Sequence, residues 1–185
     1  MTTNPPTTPP PAHPASPDQL APIRRLHEHK RFALDDFLTA LEPLTPDQLH
    51  HTSDIGMGSL IATAAHCLAA DRVWIDALQG IKTTPLLTPE DCPDTQTARR
   101  TERELNERWH PFLTQLKPAD LPRPISRTTA ATGETYTITT LDIILHVATH
   151  QAHTIAQGRN MLRKLDITPL SRNDLVFWAI NRPIT

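Results

Sequence analysis

The stretch at 58–80, GSLIATAAHCLAADRVWIDALQG, limits what this chain can fold into more than any other. Projected at 100° per residue it carries two apolar stripes, Leu60, Ile61, Ala64, Leu68, Ile75 and Leu78 on one side and Ala62, His66, Ala69 and Val73 on the other. A helix with one apolar face can lie on a surface, but one that is apolar on two faces has to be buried between neighbours. The spacing therefore predicts a buried helix that starts after Ser59 as N-cap and stops near Gly80. His66 falls among small residues, where a second helix can approach closely.

The neighbours such a helix needs are present. Ile23, Leu26, Leu34, Phe37 and Leu41 recur at helical spacing from about Pro22, with Arg24, Arg25, Lys30, Arg31, Asp35 and Asp36 at the other positions, and Pro43 marks the end. A short capped turn is expected at 45–49 and a loop at 53–58. After a loop containing Pro85, Pro89 and Pro93, a sparse stripe of Leu105, Trp109, Phe112 (or Leu113) and Leu116 predicts a third helix from about Asp94 to Leu116, kinked or locally broken at Pro111. Residues 125–139, ISRTTAATGETYTIT, are Thr-rich and interrupted by Gly133, which suggests a small β-hairpin. Thr139 or Thr140 then caps a fourth long helix reaching about Leu165, and residues 173–180 give a short last one. The fold class expected is all-α, a four-helix bundle with a hairpin-like insert before the last long helix. Residues 1–17 hold seven prolines and no large apolar residue except Met1, so they are expected to be a disordered tail, with 18–185 as the domain.

The fourth helix carries the most unusual composition. His146, His150, His153 and Gln157 share one side, opposite Leu141, Ile144, Leu145, Ala148, Ala152, Ile155 and Leu162. Solvent faces usually carry Lys, Glu or Arg, yet Asp142 is the only charged residue between Thr135 and Gly158. An uncharged stripe of this kind fits a cleft. Imidazoles at i, i+3 and i, i+4 stand one turn apart, so two can reach one ion, with His66 as a third donor from the facing helix. The alternative is a set of polar side chains satisfied by hydrogen bonds, and the spacing leaves both open.

Composition excludes several classes. A formal net charge of -2 gives no footprint for nucleic acid. No run approaches the roughly 20 apolar residues of a membrane span, and the absence of a signal-peptide pattern makes a cytoplasmic address the expectation. Cys67 and Cys92 form no CxxC pair and are expected to be reduced thiols. Cys67 beside His66 is no nucleophile–base pair, because adjacent residues on a helix point about 100° apart. Trp74, Trp109 and Trp178 are expected to be core or interface anchors.

With GSLIATAAHCLAADRVWIDALQG and LHVATHQAHTIAQ in order, a His followed eight residues later by Trp74, the Gly-centred insert and the closing NDLVFWA, the chain resembles the DinB family, also described as a DinB/YfiT-like superfamily, over roughly residues 22–180. The resemblance implies an up-down-down-up four-helix bundle in which one His of the second long helix and two of the fourth hold a divalent metal such as Zn, Ni or Fe. The first ligand maps onto His66. Family members show HxxxHRGQ, and here HQAHTIAQ places His150 at the first ligand position, Gln157 at the Gln, and Thr154 where the second His belongs. That departure leaves His153 or His146 as a replacement donor, or a metal-free site. The set expected is His66, His150 and His153, with His146, Thr154 and Gln157 around it. The function implied is a metal-dependent thiol S-transferase or hydrolase acting on a small-molecule substrate, with a low-molecular-weight thiol as co-substrate. The competing expectation is a non-catalytic, stress-associated homodimer with a degenerate metal site.

Overall fold

A computed structural model describes residues 18–81, 87–128, 133–168 and 170–182. The proline-rich segment 1–17 and Pro85 lie outside these residues. Helix α1 spans Ala21–Leu41, the short α2 Pro46–Leu49, α3 Leu60–Leu78, α4 Thr95–Gln115, α5 Thr140–Lys164 and α6 Leu175–Ile180. Strands β1 (Pro124–Thr128) and β2 (Thr135–Thr139) pair antiparallel, with Ser126 opposite Thr137. The starts of the helices follow the side chains expected to cap them. Ser59 accepts from Ala62 N, Asp94 from Thr97 N, and Thr139 forms a reciprocal capping box with Asp142. Pro111 does not break α4, which runs through it to Gln115.

Cross-helix contacts fix the topology. Along α5, Ile144, Gln151 and Gly158 meet His27, Lys30 and Phe37 of α1 in ascending order, so these two helices are parallel. Against α3 the order inverts: His146 meets Trp74, His150 meets His66, and Met161 meets Thr63. Against α1, α4 also runs antiparallel, with Arg99 bonded to Glu42 and Arg24 to the Leu113 carbonyl. The four long helices therefore form an up-down-down-up bundle, with α4 and α5 each packed on both α1 and α3. Phe37, Leu38, Leu41, Leu68, Ile75, Ile143, Ile144 and Leu162 are fully enclosed at its centre. Gly158 lets the helices close, since a Cβ there would stand 2.5 Å from Phe37 Cζ.

Two expectations need correction. The inward face of α5 is centred on Ile143, Val147, Gln151, Thr154 and Gly158, whereas Leu145 and Ala152 are exposed. Lys30, placed with the outward charges of α1, is buried: its Nζ donates to both carboxylate oxygens of Asp71 at 2.6 Å. A charged pair is tolerated there because each ion satisfies the other.

His27 ties α1 to α5 by donating from Nε2 to the Ile144 carbonyl at 2.9 Å. Burial, reinforced by the Lys30 charge, holds its pKa down to about 3. The unfolded imidazole titrates near 6.5, so between these values the unfolded state binds more protons and stability falls as pH drops. Urea unfolding at pH 6.5 and 4.5 should show His27 accounting for a loss of about 2–3 kcal/mol across that interval. His27→Gln, which keeps a donor and removes the titration, should flatten this part of the profile.

Candidate functional site

Two partly exposed helix edges run side by side where α3 packs on α5. Along α3, Ala62, His66, Ala70 and Trp74 repeat at i, i+4 and are each half-buried, so they form one strip beside the core. Along α5, His146 and His153 are exposed, while His150 and Gln157 are half-buried. Ala62 and Ala70 flank His66 with no bulk, and the two strips meet there.

His66 Nε2 and His150 Nε2 are 3.1 Å apart, with ring centroids separated by 5.0 Å. His146 continues the row, its ring 5.4 Å from that of His150 and edge-on to Trp74 at 5.3 Å. Arg127 of β1 lies over the same indole at 5.2 Å and donates to the Val73 carbonyl, which closes the row at the hairpin end. His153 stands apart, accepting from the Gln157 amide at 3.1 Å. Gln157 packs against Gly56 at the other end, where φ is +49° and a side chain has no room. Thr154 is buried and donates its hydroxyl to the His150 carbonyl at 2.9 Å.

Electrostatics keep the central pair neutral. Burial pushes the pKa of His150 down to about 4, helped by the neighbouring His66, His146 and His153, and burial alone lowers that of His66. At pH 7 one Nε2 therefore carries the hydrogen and donates to the other. His150 Nδ1 is buried without a partner. Two lone-pair nitrogens 3.1 Å apart would subtend about 100° at an ion with bonds of about 2.0–2.1 Å. Tetrahedral coordination needs about 3.4 Å, a shift of a few tenths.

The expected third donor does not join them. Among the described residues no three His, Cys, Asp or Glu side chains are grouped to hold a metal ion. The structure thus brings together His66, His150 and His146, and leaves His153 with Gln157. The two thiols are free and buried, and burial raises both, Cys92 to about 11. Neither is a nucleophile near neutral pH. Of the three tryptophans expected to be core or interface anchors, Trp109 and Trp178 are buried, and Trp74 is half-buried, packed against the core with its ring edge-on to His146. The signal was in the i, i+4 repeat from Ala62 through His66 to Trp74.

The sequence model of the DinB superfamily matches residues 31–157, which include His66, His146, His150 and His153. No curated protein matches the chain. No helix among the described residues is long and apolar enough to cross a membrane.

Proposed function

The chain belongs to the DinB superfamily, and on that premise we propose that His66 and His150 hold a divalent ion between α3 and α5, as part of a metal-dependent transferase or hydrolase site for a small substrate. The observation that carries this reading is the 3.1 Å approach of the two Nε2 atoms from different helices. Both imidazoles are kept neutral by their surroundings, which is the form that ligates. When bound, such an ion supplies Lewis acidity that lowers the pKa of water or a thiol. His66 and His150 would fix its position, and Trp74, with Arg127 over its indole, stands at one end of the row.

The third donor is assigned to His153. Joining the pair costs it one exposed hydrogen bond to Gln157, worth about 1 kcal/mol. His146 would give up ring contacts with both Trp74 and His150. Calorimetric titration with Zn²⁺ should show one ion per chain in wild type, no binding in His66→Ala, and a larger loss in His153→Ala than in His146→Ala. The reverse order for the last two would move the third donor to His146.

The buried Thr154 favours a second reading, a bundle whose metal site has decayed and which acts without catalysis. Wild type that takes up no ion at neutral pH would support the decayed site.

A further inference from the structure

A cavity of about 590 Å³ lies between α1, α5 and the segment 170–175 that leads into α6. Neither histidine of the central pair lines it, nor does any residue of α3. That volume is in the range of sites for small organic molecules. Ala33, Ala152 and Ala156 leave the space open, and Ile155 and Leu175 add apolar surface. The segment 170–175 is tied down beside it: His29 Nε2 donates to the Asn173 carbonyl at 2.8 Å, and Arg159 donates to the Ser171 carbonyl and to Asp36.

Three arginines line the cavity against one carboxylate, Asp174. Arg159 is 7% exposed and shares its charge with Asp36 at 3.0 Å, but its Nε–H bonds to neither partner and is not shut off from water. Arg163 and Arg172 are exposed and have no ion pair among the described residues. Each is nevertheless held by a neutral partner. Arg163 donates to the Asn160 side chain at 2.8 Å, and the Arg172 guanidinium lies over the Phe177 ring at 4.6 Å. Such partners place a guanidinium without neutralising it.

We propose that this cavity binds a small organic phosphate monoester. Its terminal oxygens are shared by Arg163, Arg172 and the Arg159 Nε–H, and its organic body lies on Ala152, Ala156 and Leu175. A planar carboxylate fills one guanidinium fork, whereas a tetrahedral dianion serves two. A sulfate ester of the same shape carries one charge fewer, and inorganic phosphate has no body to bury.

The probe is phenyl phosphate, titrated calorimetrically at pH 7 into full-length protein that has passed over a chelating resin. One molecule should bind per chain, and phenyl sulfate and inorganic phosphate should each bind roughly tenfold more weakly. Arg163→Gln and Arg172→Gln, exposed substitutions that leave the core intact, should each weaken phenyl phosphate by a similar factor. Asp174→Asn, which removes the opposing charge, should tighten it roughly twofold or more, a gain that damage to the fold cannot produce. His66→Ala should change nothing, which separates this site from the histidine pair. The proposal is overturned by the absence of saturable binding, by phenyl sulfate binding as tightly as phenyl phosphate, by either arginine variant binding like wild type, or by weaker binding in Asp174→Asn.

Discussion

Lys30→Met is expected to lower the unfolding free energy by about 3–5 kcal/mol at pH 7, the largest single loss anticipated for this protein. The side chains of Lys30 and Asp71 are each 4% exposed, and the ammonium serves both carboxylate oxygens. Removing the cation leaves a carboxylate enclosed in the bundle with its partner gone. Lys30 also lies over the Trp109 ring at 5.1 Å, and the unbranched Met preserves part of that contact. Burial already raises the pKa of Asp71 despite Lys30, and without Lys30 it must rise further. A folded pKa above the unfolded one means the native state binds more protons between the two, so the deficit grows as pH rises. Urea unfolding should find Lys30→Met much closer to wild type at pH 4.5 than at pH 7. The double replacement Lys30→Met with Asp71→Leu should recover most of the loss at pH 7, because an apolar pair of similar volume leaves no charge unpaired. A single variant that loses under about 1 kcal/mol at both pH values would show that the pair is accessible to water.

Thr154→His should raise affinity for Zn²⁺ on the order of 100-fold or more, since it adds an imidazole one turn from His150. Thr154 is inward-facing, beside the level at which His150 meets His66, and its hydroxyl is satisfied by its own helix. Replacing it removes no bond between helices. The larger ring has to be accommodated at a site 3% exposed, which should cost about 1–3 kcal/mol without metal. The variant is thus expected to melt below wild type in chelator and above it in Zn²⁺. A variant with unchanged affinity would show that position 154 does not look onto the His66–His150 pair.

These effects rest on features of unequal legibility. The two-faced pattern of α3 was readable because its apolar residues are themselves the packing surface. On α5 the apolar count pointed wrongly: Gln151, Thr154 and Gly158 face inward, while Leu145 and Ala152 do not. Each inward residue has a local reason that composition hides. Gln151 donates to the Lys30 carbonyl, Thr154 to its own helix, and Gly158 makes room for Phe37. The Lys30–Asp71 pair was hidden because its members are 41 residues apart and each looks like a surface charge. The facing of His66 and His150 was legible because two helical strips and a family resemblance pointed to the same residues. The engagement of His153 with Gln157 was not, since i, i+3 and i, i+4 partners compete for the same imidazole.

The most direct measurement follows the imidazole nitrogens themselves. In protein with ¹⁵N-labelled histidine rings, stepwise Zn²⁺ addition at pH 7 should move the Nε2 signals of His66 and His150 together, ending at one equivalent. The hydrogen now shared at 3.1 Å between them should disappear at the same point. If those two signals stay fixed, with one Nε2 still protonated beyond one equivalent, the pair is a hydrogen bond and no metal site.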